Sequence, residues 1–225
     1  MIDLVDLVLR QTLVARVPGL ANAQVGFQPP DDTWRSQVGG AAQGVFLNCC
    51  LVDLRENRRL RQGSRESGPS VAAGAPSHRR APVQVRCLYL LSAWNGARDS
   101  PQVAATEQEH ALLGAVIGAL VAAGPLVPAA VLTPQQLARV PVPLQEGPLP
   151  VELLPADGFT KLAEFWGTMG RPAAWKPVVP VTVTVPVLEA EPAAGRIVRS
   201  VTTRYGLLAD GSPAGDPLEI RLTPS

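Results

Sequence analysis

Val83-Gln-Val-Arg-Cys-Leu-Tyr-Leu-Leu-Ser-Ala-Trp94 is the stretch on which the fold turns. Side chains alternate along a strand, so Val83, Val85, Cys87, Tyr89 and Leu91 line one face of an extended segment opened by Pro82. Residues 45–54, Val-Phe-Leu-Asn-Cys-Cys-Leu-Val-Asp-Leu, supply a partner strand. That run is apolar on both faces, which places it inside a sheet rather than at a solvated rim.

The pattern changes on either side of this pair. Before it, Ile2, Val5, Leu9, Leu13 and Val17 recur at helical spacing with Asp3, Asp6 and Arg10 between them, which predicts an amphipathic helix over residues 3–17, stopped by Pro18-Gly19. Residues 24–28 read as a short extended piece ended by Pro29-Pro30. Between the two strands, residues 55–62 are charged and residues 63–81 are rich in Gly, Ser, Pro and Ala without periodicity, the composition of a mobile surface loop. Beyond them, Thr106-x-x-Glu109 reads as a capping box that starts a helix running to residue 123. Thr133-Pro134 reads as a cap and first position of a short helix through residue 140. A short strand is expected at 151–154 and a helix at 157–169. Residues 178–188 form a Val/Thr-rich strand in which Pro180 and Pro186 favour an edge or a bulge. Two last strands, at 196–208 and 218–222, flank a turn-rich Asp-Gly-Ser-Pro-Ala-Gly-Asp-Pro segment. The expected fold class is therefore α/β (α+β mixed), a central mixed β-sheet flanked by helices with a C-terminal β-arm. The division expected is one domain over residues 1–190, carrying the loop near 63–81, and a hairpin arm over 191–225.

Composition bounds what such a chain does. At 225 residues with 46% hydrophobic content it can bury a full core, and a net charge of +1 gives no global attraction to nucleic acid or an anionic membrane. Cys49, Cys50 and Cys87 are an odd set without Cys-x-x-Cys spacing, which argues against a disulfide framework or a zinc knuckle and for core-filling thiols in a reducing compartment. The N-terminus carries acids where an export signal needs bases, so cytoplasmic folding is expected. Residues 111–132 lack charge and contain Gly114-x-x-x-Gly118, but Gly124-Pro125 and Pro128 break the run. The helix left rises only about 20 Å, short of a bilayer core of about 30 Å, so it reads as a buried, close-packed helix and no membrane insertion is expected.

The catalytic inventory is nearly empty. His78 lies in the Gly/Pro/Ser loop and His110 beside Glu107 and Glu109; one Glu-x-x-His without a second does not build a metal site. No phosphate-binding loop, dinucleotide fingerprint or nucleophile elbow occurs, so neither cofactor nor metal is expected and no catalytic residue is assigned. The charge feature that stands out is Arg55, Arg58, Arg59, Arg61 and Arg65, without the interleaved aromatics of a single-strand nucleic-acid surface. It reads as a solvated loop base or a protein interface. Trp166 fits the apolar side of its helix as core. Trp175 also reads as core, with an interface anchor as the other reading.

Several blocks together resemble the cap, or tail-terminator, family of extracellular contractile injection systems, related to the caps of antifeeding-prophage-like particles. They are the N-terminal helix; Val52-Asp-Leu-Arg-Glu-Asn57 after its apolar strand; the strand ending Tyr89-Leu-Leu-Ser-Ala-Trp94, followed by Glu109-His-Ala-Leu-Leu-Gly114; and Lys161-Leu-Ala-Glu-Phe-Trp166 with Arg171-Pro172 and the Val-rich strand after it. The resemblance spans residues 1–190, without the insertion after Arg65 and the tail. It implies a non-enzymatic structural protein: a homo-hexameric ring that binds the inner tube and sheath proteins, ends their polymerisation and holds the sheath extended. The candidate contacts are then Arg55, Arg58, Arg59, Arg61 and Trp175, with Ile197, Val198, Val201, Leu218 and Ile220 on an arm that adds strands to a neighbour, a hairpin folded against its own core being the other reading. A phage-type tail completion protein, a small enzyme of unrecognised type and a membrane-associated helper are the rival readings.

Overall fold

The computed structural model describes residues 1–40, 44–60, 66–68, 77–79, 82–96, 102–156, 159–169, 175–187, 202–209 and 212–221. In chain order the first elements are α1 (Ile2–Arg16), β1 (Val25–Gly26), α2 (Asp32–Gly40) and β2 (Val45–Glu56). The short strands β3 (Glu66–Gly68) and β4 (Ser77–Arg79) precede β5 (Val83–Asn95) and α3 (Gln102–Ala123). Then come α4 (Pro128–Val131), α5 (Pro134–Leu137), α6 (Val142–Gln145), β6 (Val151–Leu153), α7 (Leu162–Thr168) and β7 (Val179–Val187). The last two strands are β8 (Thr202–Ala209) and β9 (Ser212–Arg221). The chain divides into two units, one of residues 1–61 and 83–187, the other of residues 62–82 and 188–225.

The first unit is built on a five-stranded sheet in the order β1-β2-β5-β7-β6, with β1 parallel to β2 and the other neighbours antiparallel. This is the mixed sheet flanked by helices that the pattern predicts. The two strands read first from the sequence sit side by side, Phe46 opposite Trp94 and Cys49 opposite Leu91. Both sheet faces are covered, so Cys49 and Cys50, which point to opposite faces, are both buried, as is Cys87.

One face holds Leu47, Cys49, Cys87, Tyr89, Leu91, Val181 and Val183, all fully buried or nearly so. Helix α1 lies there, burying Leu4, Val5, Val8, Leu9 and Leu13, and α3 packs against α1, β5 and β2. The other face carries a tryptophan cluster at one end of the sheet: Trp34 and Val38 from α2, Trp94 from β5 and Trp166 from α7, with Phe46, Phe165 and Val178 against them. Trp166 is the core residue expected.

β7 reconciles its two prolines with an interior place. The Thr184 N–H points outward to the Pro150 carbonyl, so Pro180 and Pro186, of the same parity, also turn their nitrogens to the outer side. Only three-residue β6 pairs there, opposite Val181 to Val183, and neither proline interrupts the long β5 ladder.

Several expectations need correction. Helix α3 begins at Gln102, so Thr106 lies inside it and no capping box starts it; Glu109 is spent on tertiary bonds instead. Gly114 and Gly118 face outward, and a Cβ on either meets nothing within 4 Å, so the helix is not close-packed at that spacing. Thr133 does cap α5, accepting from the Gln136 N–H while the Gln136 side chain accepts from Thr133 N. Helix α2 was not anticipated.

The second unit is described by two antiparallel pairs. β3 pairs with β4, Glu66 opposite Arg79, within the stretch read as loop. β8 pairs with β9, Thr202 opposite Arg221 and Ala209 opposite Ser212. β9 starts at Ser212, much earlier than the expected residue 218, so most of the Pro-rich segment read as a turn is strand.

Candidate protein-interaction surfaces

His110 and Glu107 are exposed on α3, and among the described residues no three His, Cys, Asp or Glu side chains are arranged to hold a metal ion. Burial pushes the Cys50 and Cys87 thiols up to about 11 and Cys49 further still, so at neutral pH none supplies a thiolate nucleophile. Among the described residues no helix is long and apolar enough to cross a membrane.

The features that stand out are instead two unlike surfaces at opposite ends of the sheet. At the end where β5 finishes and β7 begins, the buried carboxylate of Glu109 accepts from the Asn95 N–H at 2.8 Å and from the Lys176 ammonium at 2.6 Å. Lys176 Nζ also lies 5.5 Å from the centroid of the Trp94 ring. These contacts pin the residue entering β7 to α3 and β5. Its neighbour Trp175 is left 61% exposed. The core reading of Trp175 is thus wrong: the cation, not the indole, is what the fold takes in, and the sequence Trp175-Lys176 gives no cue that a buried acid on a distant helix recruits it.

At the other end, an apolar groove of about 630 Å³ opens beside the start of α1. Its walls include Ile2, Leu54, Val85, Cys87, Val185 and Val187. A β-bulge makes it. The β2–β5 register shifts between Leu51 and Asp53, so Leu47, Cys49 and Leu51 face α1 before the shift while Leu54 and Glu56 do so after it. Without that extra residue Leu54 points to the opposite face. Ile2, Leu54, Val83 and Val187 are each more than a third exposed here, a concentration of large apolar side chains at one edge. Sequence reasoning did not find this groove, because nothing in Leu51-Val-Asp-Leu54 marks the bulge.

Of the arginines, Arg55 closes on Asp53 at 2.5 Å with 78% of its side chain exposed, and Arg58 is exposed on a single turn over residues 58–60 that also contains Arg59. Arg55 and Arg58 are therefore brought to the groove end of the sheet. Leu218 and Ile220 lie on β9, opposite Tyr205 and Thr203. Arg61, Ile197, Val198 and Val201 lie outside the described residues.

The fold is shared with caps of contractile injection systems. This chain is similar to the sheath/tube terminator, in its extended state, of an extracellular contractile injection system (PVC), at 19% identity and a TM-score of 0.59 over 94% of this chain and 65% of that one. It is also similar to the tube-terminating cap of the anti-feeding prophage, at 22% identity and a TM-score of 0.58 over 90% of this chain and 60% of that one. The chain thus spans under two thirds of either cap's length. No curated protein sequence matches it. The family of the Pvc16 N-terminal domain matches residues 4–200, which takes in the five-stranded sheet and its helices from the third residue of α1 onward, and stops before β8. The tail-terminator resemblance read from the sequence therefore holds, and the chain belongs to the Pvc16 N-terminal domain family.

Proposed function

We propose that this protein is a structural cap of a contractile injection system. It forms a homo-hexameric ring on the last layer of the inner tube, ends polymerisation of tube and sheath, and holds the sheath extended until firing. The reading rests above all on the family match over residues 4–200, supported by a fold shared with a sheath/tube terminator and a tube-terminating cap. A non-enzymatic role agrees with the buried, proton-holding thiols and the exposed histidine. The particle assembles in the cytoplasm. Arg55, Arg58, Arg59, Arg61 and Trp175 belong to its protein contacts, where charge sets orientation and encounter more than affinity.

The β8–β9 hairpin serves as the arm. A two-stranded hairpin alone is at best marginal in water, so Leu218 and Ile220 on β9, together with Ile197, Val198 and Val201 in the segment before β8, bind a neighbouring subunit or the sheath. The test is deletion of the gene from a producing strain and imaging of the particles. Tubes and sheaths of uncontrolled length, or spontaneously contracted particles, are expected; particles of normal length and stability refute the cap. A chain ending at Ala190 tests the arm separately: a folded ring that fails to hold extended sheath is expected.

A further inference from the structure

We propose that Asn95 is a site of spontaneous deamidation that the fold holds closed, and that its amide converts to a carboxylate once the end of β5 parts from the start of β2. Of the four asparagines, Asn22, Asn48, Asn57 and Asn95, only Asn95 precedes a glycine. The backbone nitrogen of the next residue attacks the asparagine Cγ, and a C–N bond forms. The Cγ–Nδ2 bond breaks, and ammonia leaves with the proton that the nitrogen gives up. Water then opens the five-membered ring to aspartate or isoaspartate. A side chain on the following residue hinders the attack, and glycine has none.

The fold demands that glycine. Gly96 is buried, and a Cβ there would stand 2.5 Å from the Val38 carbonyl oxygen on α2. Position 96 therefore accepts no side chain while α2 lies in its place. The asparagine is used as well: its Nδ2 donates to Gln108 Oε1 at 2.7 Å and its N–H to Glu109 Oε1 at 2.8 Å, tying β5 to α3.

The same contacts guard the labile pair. The Gly96 N–H, whose nitrogen is the nucleophile, donates to the Gly44 carbonyl at 3.1 Å. Asn95 is the last residue of β5, opposite Val45 on β2. Closing a five-membered ring onto the next nitrogen requires its backbone to leave the extended conformation. The amide that must depart is held by Gln108. The reaction thus runs through local opening, at a rate set by how often this end of the sheet parts.

Conversion is one-way. Aspartate at this position has no Nδ2 to give Gln108, and it adds an anion beside the Glu109 carboxylate that Lys176 neutralises. Isoaspartate lengthens the backbone by a methylene, which shifts Gly96 against both Val38 and Gly44. A protomer that has opened for long is thereby marked at the end of the sheet where Trp175 and Lys176 lead into β7.

Peptide mapping by mass spectrometry tests this on the full chain, held at mildly alkaline pH with and without unfolding urea. In urea Asn95 converts before the other three asparagines, and in buffer it converts more slowly by roughly 100-fold or more. Gln108→Ala, at an exposed position of α3, keeps its circular dichroism and speeds conversion in buffer about 2- to 10-fold, the worth of one hydrogen bond. Equal rates in urea and buffer, or an Asn95 that outlasts the other asparagines in urea, overturn the guarded site. A Gln108→Ala rate equal to wild type overturns the part given to α3. Asn95→Asp, the product with an ordinary backbone, should exchange the Gly96 amide hydrogen about tenfold faster than wild type. Exchange at the wild-type rate overturns the lasting mark.

Discussion

The Tyr89 hydroxyl donates to Asp6 Oδ1 at 2.7 Å, joining the central strand β5 to the first turns of α1. Burial is the main cause that pushes the Asp6 carboxyl above its usual 3.8, while the Tyr89 bond and nearby Arg10 pull it back. Burial, reinforced by Asp6, also pushes the Tyr89 phenol up, so Tyr89 remains the donor. A carboxyl whose pKa is higher folded than unfolded binds its proton more tightly in the fold, so its contribution to stability falls as pH rises through the folded value. Asp6→Asn should therefore flatten the pH dependence of the melting temperature just above pH 3.8, where wild type loses stability on this account. Tyr89→Phe should lower stability by about 1–3 kcal/mol at neutral pH, because it leaves a partly buried carboxylate without its donor. Thermal melts across pH for wild type and both variants check the pair.

The ion pair of Glu109 and Lys176 makes a separate prediction. Glu109 is nearly fully buried, with its side chain only 6% exposed, and Lys176 is 20% exposed. Removing one charge of such a pair leaves the other uncompensated, at a cost of about 3–5 kcal/mol. Lys176→Met should thus destabilise markedly in urea unfolding. Adding Glu109→Leu should recover part of the loss, since two apolar residues leave no stranded charge. The Asn95 N–H, which donates to the same carboxylate, limits that recovery.

Most of this fold was legible because burial writes a periodicity into the chain. Val83 to Leu91 alternate and became β5; Ile2, Val5, Leu9 and Leu13 recur at helical spacing and became α1. Helix α2 left a weaker trace, with only Trp34 and Val38 buried, four residues apart, and Gly39-Gly40 at its end. Its cue was Asp31, whose Oδ1 accepts from the Thr33 and Trp34 N–H groups. The binding surfaces were less legible. The Arg55–Arg61 run was visible as charge alone, Trp175 was assigned to the wrong environment, and the groove arises from a register shift that no residue type demands. Such features depend on pairings between distant segments, which periodicity within one segment does not report.

The arginines test whether charge steers assembly. Arg58→Glu with Arg59→Glu should slow ring formation most at low salt, and the difference from wild type should shrink as ionic strength rises, because exposed charges more than a Debye length of about 10 Å apart are screened at 0.1 M. Circular dichroism should be unchanged. Equal assembly kinetics at both salt concentrations would return the cluster to a solvated loop base.

One substitution type should have opposite effects at two kinds of glycine. A Cβ on Gly26 meets Trp34 Cζ3 at 2.4 Å, and the ring is held by Val38, Trp94 and Trp166 in the cluster around it. Gly26→Ala must therefore displace a tightly packed indole or part β1 from β2, and overpacking of this kind costs about 1–3 kcal/mol. Gly114 and Gly118 lie mid-helix on the outward side of α3, with nothing within 4 Å of either added Cβ. There alanine removes only the backbone freedom of the unfolded chain, so Gly114→Ala and Gly118→Ala should each stabilise the isolated protomer by about 0.4–1 kcal/mol. Chemical unfolding of the three variants, at concentrations where the protein is monomeric, reads both signs. A stabilised protomer that then assembles less well would mean that a neighbouring backbone approaches α3 at these glycines, since only close packing against another chain makes the two added methyl groups unwelcome.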